Sequence, residues 1–275
     1  MKGLFKRVIP PDMRRSLWEQ RERLVVRLSR PYVRLMTGLT GNPDELMRYV
    51  FETQELTAEQ VILALHQGIF ACPWDMKSKL VWYDPDPRGI LPIEGFTVPR
   101  TVRRAIRQRR FDISLDTAFG RAIRACAEPG PHRGPTFLHP PVIAVFEELH
   151  QMGLAHSVEV WQDGELIAGD IGVGLGSYYM GVSAFYRVPD ASKVALTYLT
   201  EMLQAGGFVL HDLWWHNDYQ LQYGGYEMPR AEFKQRLVHA LLKPARLEPL
   251  SMDEFVQRVQ QRREREVQAE QQAPA

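Results

Sequence analysis

The chain has 275 residues, 45% of them hydrophobic, and 34 lysines and arginines against 33 aspartates and glutamates, for a net charge of +1. That length and apolar content bury a substantial core, which excludes intrinsic disorder and a disulfide- or metal-stapled miniprotein. With so little net charge, a polyanionic partner has to be met by a local patch. No stretch approaches the roughly eighteen uninterrupted apolar residues of a membrane span, and the N-terminus (MKGLFKRVIPPDMRRSL) puts prolines and charges where a secretion signal needs an apolar run. A soluble cytoplasmic protein is expected, with Cys72 and Cys126 as reduced thiols.

Residues 1–42 hold ten Lys or Arg and three acids, with Leu17, Leu24, Leu28 and Leu35 at helical spacing until Pro31 interrupts. A basic helical extension over 1–41 is predicted, either facing phosphates or merely solvated. From Asn42 to Phe70 the pattern predicts two short helices, with Thr57 as an N-cap. Four prolines between 71 and 98 exclude a long helix, and Leu80–Tyr83 and Gly89–Leu91 read as short strands. Residues 42–98 are therefore taken as a small N-terminal α/β domain.

Residues 99–110 (PRTVRRAIRQRR) carry Arg100, Arg103, Arg104, Arg107, Arg109 and Arg110 around a seam of Val102 and Ile106. Three- and four-residue spacing puts several arginines on adjacent faces of one helix, able to reach consecutive phosphates of a strand; a plain surface helix is the alternative. A strand (111–115), a helix from Thr117 to Ala127 capped by Asp116, and a helix opened by Pro140-Pro141 follow. The period then switches to alternation: strands at 157–161 and 165–175 flank Gln162-Asp163-Gly164, and 177–185 supplies another. Gly172, Gly174 and Gly176 are no dinucleotide loop, because strand-like residues follow them. Asp190-Ala-Ser192-Lys193 starts a helix with Leu196, Leu199 and Leu203 on one face, Phe208–Trp215 reads as a buried strand, and a helix runs from Pro229 to Leu242. Residues 99–242 form the second domain and 243–275 a charged tail expected to fray. The order is α+β, with a mixed sheet of acetyltransferase-like (GNAT-type) arrangement.

GIF…PW (68–74), WYDPDPR (82–88), AFGRAIRACA (118–127), AHSVEVWQDGEL (155–166), SAFYRVPDASKVAL (183–196) and the run from Asp212 through MPRAEF (228–233) together resemble the leucyl/phenylalanyl-tRNA–protein transferase family over roughly 42–240. The resemblance implies transfer of an aminoacyl group from aminoacyl-tRNA to the N-terminal Arg or Lys of an acceptor protein, marking it for degradation, with no cofactor and no metal. It also implies that Asp212, Ser183 and Asn217 serve the transfer step and that Trp82, Tyr83 and Phe137 flank the terminal adenosine, where stacking contributes about 1–3 kcal/mol per base. Asp170, Tyr179, Ala184, Leu199 and His211 fall at the family's side-chain pocket.

Two departures stand out. The family's GES reads Gly181-Val182-Ser183, and its Asp-x-Gln reads Asp212-Leu213-Trp214, so Trp214 replaces a polar group at the substrate. Asp170 at an apolar pocket must be hydrated, neutral or paired, with His211 as the candidate partner, and such a pocket would favour a polar or cationic side chain. A metal at His211, Asp212, His216 and Asp218 is disfavoured because neighbours on a strand face opposite ways, and no G-x-S-x-G word exists. An acetyl-CoA-dependent acetyltransferase shares the fold, but it would need a phosphate loop where Arg187–Ser192 stands. The helix start with Ser192 could instead hold a tRNA phosphate. An inactive tRNA-binding paralogue is the non-enzymatic alternative.

Overall fold

The computed structural model of the protein describes residues 49–53, 55–72, 80–129, 136–214 and 221–272. The basic extension at 1–41 and Asn217 lie outside them. In chain order the elements are β1 (Tyr49–Thr53), α1 (Ala58–Gln67), β2 (Phe70–Cys72), β3 (Leu80–Tyr83), β4 (Arg88–Ile90), α2 (Arg100–Arg107), β5 (Asp112–Leu115), α3 (Phe119–Ala127) and α4 (Pro140–Gln151). They continue with β6 (Ala155–Gln162), β7 (Glu165–Leu175), β8 (Tyr178–Tyr186), α5 (Ala191–Ala205), β9 (Leu210–Asp212), β10 (Tyr226–Met228), α6 (Arg230–Leu242) and α7 (Met252–Gln272).

The fold is α+β with a mixed sheet. The larger sheet runs β10-β4-β9-β8-β7-β6-β5, and a smaller one runs β1-β3-β2. Within the larger sheet β8 and β9 pair parallel while the other neighbours pair antiparallel. Alternation along the strands divides the core in two. Ile171, Val173, Tyr178 and Met180 face α1, α3, α4 and α6. Val158, Val160, Ala168 and Tyr179 face α2, α5 and α7. Cys126 is buried, and among the described residues no helix is long and apolar enough to cross a membrane.

Several expectations meet a different local outcome. Residues 49–53 form a strand rather than part of a helix, because YVFET is β-branched and aromatic and pairs with β3, Tyr49 opposite Tyr83. Thr57 does cap α1, in a reciprocal box with Gln60. Asp116 does not cap α3: it adopts a left-handed φ of 59°, and its carboxylate accepts from Ser157 N at 2.8 Å and lies 2.7 Å from His156 Nδ1. The buried Glu159 of β6 takes that task instead, accepting from the backbone N–H of Ala118 at 3.1 Å and from the hydroxyls of Ser114 and Ser157. β4 lies N-terminal to the expected boundary at 98, yet it is hydrogen-bonded between β10 and β9, so that boundary runs through the larger sheet.

The segment expected to fray is the long helix α7 over 252–272. Phe255 and Val259 pack into the core beside α5, and Arg262, 2% exposed, reaches through to the buried Glu201 of α5. Its Nε donates to Glu201 Oε1 at 2.5 Å, and its Nη1 donates to the carbonyls of Ile93, Glu94 and Phe96. Arg258 donates to the other Glu201 oxygen at 3.0 Å. The composition of 243–275 hides this, since an arginine that anchors a helix reads like a solvated one.

Arg262→Ala is expected to cost about 1–3 kcal/mol, since it leaves the buried Glu201 carboxylate to Arg258 alone and takes the donor from the carbonyls of Ile93, Glu94 and Phe96, read as a lower urea midpoint of unfolding. Glu201→Gln combined with Arg262→Met should cost less than Arg262→Ala alone. An unchanged midpoint for Arg262→Ala would show that α7 is not fastened this way.

Candidate functional site

The centre of the larger sheet is built around a short parallel pair. Tyr178, Tyr179 and Met180 lie opposite Leu210, His211 and Asp212. Beyond that register β9 stops while β8 continues to Tyr186, so the two strands part. β9 ends because Trp214 takes a left-handed φ of 69° and its N–H donates back to Asp212 Oδ1 at 2.9 Å. On the other side of β8, Val182 is an extra residue: Ile171 pairs with Ser183 and Gly172 with Gly181. At Gly181 an added Cβ would lie 2.7 Å from Leu213 Cδ2 at the parting of the strands, so a side chain there would have to displace the end of Leu213.

Asp212 sits at the base of this gap, fully buried. Arg88 of β4 clamps it bidentately, Nε to Oδ1 at 2.9 Å and Nη2 to Oδ2 at 2.7 Å, and Tyr178 OH donates to Oδ2 at 2.6 Å. With the Trp214 N–H this carboxylate accepts from four donor atoms. Asp212, which the resemblance implies serves the transfer step, is thus shielded, with its carboxylate spent on internal bonds. Arg88 continues the network towards Asp84 at 3.8 Å, which Lys234 of α6 meets at 2.8 Å, and its guanidinium lies 4.4 Å from the centre of the Phe233 ring. Burial pushes the Asp84 carboxyl up, against the pull of Lys234. It pushes the Lys234 ammonium down to about 8, against the pull of Asp84. Burial and the neighbouring Asp212 carboxylate raise the Tyr178 phenol, keeping it a donor.

None of Arg88, Tyr178, Asp84 and Lys234 emerged from the sequence as a site residue. The available signal was indirect: a carboxylate in the buried strand LHD requires a cation, and the arginine of PDPR sits among prolines rather than in a surface charge run.

On the same face lies an apolar pocket lined by Trp82, Phe137, Trp214, Phe70 and Met180, with a free volume of about 20 Å³, roughly one water. The Trp214 indole fills it, stacked on Phe70 at 3.9 Å and tilted against Phe137 at 5.5 Å. Trp82 is buried against Ala64 and Ile69, while Tyr83 is half-buried with its ring 6.1 Å from Phe70. Trp82, Phe137 and Trp214 thus line one pocket, with Trp82 in a small cluster separate from the other two.

The opposite face gathers Asp170, Tyr179, Ala184, Leu199 and His211. Asp170 is directly across from Ala184, and Tyr179 from His211. The Tyr179 ring lies over Gly172, where a Cβ would come within 2.4 Å of it, and meets the His211 ring edge-on at 5.4 Å. Leu199 of α5 closes this core. Asp170 is half-buried rather than turned to solvent, but it does not pair with His211. Burial raises the Asp170 carboxyl to about 7 and lowers the His211 imidazole to about 4. Both groups are therefore held towards neutrality, and neither ring nitrogen of the buried His211 has a hydrogen-bond partner among the described residues.

Arg100, Arg104 and Arg107 of α2 are exposed and unpaired among the described residues. Arg103 is not: its Nη1 donates to the Val98 carbonyl at 2.5 Å and lies 3.9 Å from Glu266 of α7. Arg109 pairs with Asp253, and Arg110 covers the Phe111 ring at 4.9 Å. Acids distant in sequence thus meet arginines that have none nearby in the chain. Ser192 is half-buried in the first turn of α5. Ser183 is half-buried at the β8 bulge.

Comparison with known proteins follows this geometry. The family model described as leucyl/phenylalanyl-tRNA protein transferase matches residues 90–238. A protein of that name from Paramagnetospirillum magneticum is 44% identical over 191 residues, covering 69% of this chain and 91% of that one. One from Herpetosiphon aurantiacus is 45% identical, covering 69% and 96%, and one from Salinibacter ruber 42% identical, covering 68% and 81%.

The unpaired Asp170 has a measurable pH signature. A carboxyl raised in the folded state binds its proton more tightly there than when unfolded, so its contribution to stability is full below about pH 4 and is lost as pH rises through about 7. The stability of Asp170→Asn minus that of the parent cancels the other titrations. It should therefore grow by about 2–4 kcal/mol between those limits, the range allowing for partial exposure. Urea unfolding across this window measures it, and a constant difference would mean that Asp170 is hydrated.

Proposed function

The chain belongs to the leucyl/phenylalanyl-tRNA–protein transferase family, and on that premise we propose that it transfers an aminoacyl group from aminoacyl-tRNA to the N-terminal amine of an acceptor protein. The observation that carries this reading is the match to relatives so named, at 44–45% identity and over nine-tenths of their length. Acceptors beginning with Arg or Lys, and degradation of the tagged product, follow from the same kinship.

In the reaction the acceptor amine attacks the ester carbonyl carbon. The C–N bond forms, the bond to the tRNA 3′ oxygen breaks, and that oxygen gains the proton the amine loses. The ester is already activated, so the protein has mainly to bring two ends together in a fixed geometry. We read the parted β8 and β9 strands as an acetyltransferase-like gap that receives them. Asp212 is a positioning residue: by holding Arg88, Tyr178 and the Trp214 backbone, it sets the shape of the gap. Ser183, at the bulge, stands beside it.

The α2 arginines support the tRNA side of the reading, since a turn of about 5.4 Å separates successive cations along the helix and a phosphate backbone is a linear array of charges. Arg100, Arg104 and Arg107 would carry the electrostatic contact. A terminal adenine stacking between Trp82 and Phe137 would take the place now filled by the Trp214 indole. On the opposite face, the unpaired Asp170 beside Ala184 and Tyr179 favours a donor side chain that can donate a hydrogen bond or carry positive charge.

Two measurements check this. Changing Arg100, Arg104 and Arg107 together to Ala should make the salt dependence of tRNA binding shallower by about three counterions' worth of slope; an unaltered slope assigns α2 another role. Assay of a panel of charged tRNAs with an Arg-starting peptide should give dipeptide-bond product, with polar or cationic donors favoured over Leu and Phe and Asp170→Met reversing the order. Preference for Leu and Phe in both proteins removes the pocket assignment, and no product from any donor removes the transferase reading.

A further inference from the structure

Between α2 and α7 runs an open groove of about 990 Å³. One wall carries Arg100, Arg104 and Arg107. The other is α7, which presents Val256, Gln260 and Arg263 at three- and four-residue spacing, with Val259 at the base of the groove where it meets the core, while Phe255 and Arg262 point into the core. The floor is apolar, the α2 rim is basic, and the α7 rim sets the cation Arg263 beside Glu264. Glu266 sits where the walls meet, 3.9 Å from Arg103 and 3.3 Å from Arg263. α7 lies beyond residue 238, where the family match ends.

We propose that α7 is the second wall of the RNA site: the groove seats the phosphodiester backbone of aminoacyl-tRNA, with Arg263 contacting phosphate from the side opposite α2 and Glu266 competing with phosphate for Arg103 and Arg263. This rests on the reading of α2 as the tRNA-facing helix and adds an element to it. A flat basic helix offers phosphates one row of cations. A groove with cations on both rims surrounds the charge and excludes water from one side, which strengthens each contact. Glu266 then sets how tightly the groove holds, because phosphate has to displace a carboxylate already on the two arginines. The fastening of Arg262 to Glu201 keeps the wall rigid.

The test is equilibrium binding of fluorescein-labelled phenylalanyl-tRNA to the full chain over a range of KCl. Arg263→Ala should remove about one counterion's worth of slope, roughly eightfold in affinity between molar and about 0.1 M salt. Glu266→Gln should act in the opposite direction, tightening binding severalfold at about 0.1 M salt. Opposite signs are the discriminating result, because loss of a merely structural contact with α2 would weaken binding in both variants. If Arg104→Ala and Arg107→Ala weaken binding while both α7 variants match the parent or shift together, α7 is no part of the site and the α2 reading survives. If none of the four changes moves affinity or slope, both fall. A raised KM for the acceptor peptide with unchanged tRNA binding would give the groove to a protein partner and overturn the proposal.

Discussion

A buried carboxylate clamped by a buried guanidinium is the constraint on which the centre of this molecule depends. Moving either charge out of water costs several kcal/mol, and the pair persists because the carboxylate is filled: Asp212 accepts from two nitrogens of Arg88, the Tyr178 hydroxyl and the Trp214 N–H. Each partner comes from a different part of the chain, Arg88 from β4, Tyr178 from β8 and Asp212 from β9. A bidentate guanidinium tolerates little displacement, so this contact sets the relation of three strands and holds the left-handed turn at Trp214. The parting of β8 and β9 follows from it, since a strand bent back on its own carboxylate cannot continue the ladder.

The sheet then separates two kinds of surface. On the Asp212 face the carboxylate is filled by four donors and the pocket beside it is lined with aromatic rings, an arrangement that favours one rigid geometry. On the other face Asp170 of β7 and His211 of β9 lie on strands either side of β8, both driven towards neutrality by burial, and the His211 ring nitrogens have no hydrogen-bond partner among the described residues. Unsatisfied polar groups cost stability. A native fold that keeps them needs a reason, and a functional site is one, which is why specificity is sought on this face and positional precision on the other.

How far the sequence could be read depended on whether an interaction was local or distant. The hairpin at Gln162-Asp163-Gly164, the Thr57 cap and the long apolar face of α5 are written in adjacent residues, and all three are found where periodicity puts them. The clustering of Asp170, Tyr179, Ala184, Leu199 and His211 was legible through likeness to a family, because homologous positions share a face whatever their chemistry. What stayed hidden requires residues more than forty apart: the Glu159 cap of α3, the Arg88 clamp on Asp212 across 124 positions, and the Arg262 anchor of α7. An arginine in a charged run carries no mark of the carboxylate it will meet. For the same reason Arg103 and Arg109 read as free, although their acids stand on a helix 150 residues further along.

The shielding of Asp212 bears on how the chemistry can be accomplished. A buried carboxylate whose oxygens already accept from four donors is out of reach of an incoming amine, so proton removal from that amine would fall to the leaving oxygen or to water, not to this residue. Such a division is adequate where the ester is already activated: holding reactants in near-attack geometry can supply several kcal/mol of the barrier without any acid or base of matched pKa. Rigidity is what such a mechanism demands, and a buried, multiply bonded ion pair provides it in a way that a solvated general base could not. The loss of polar groups at Val182 and Trp214 is consistent with this view, since a site that works by positioning can exchange side chains at its rim provided the strands beneath keep their places.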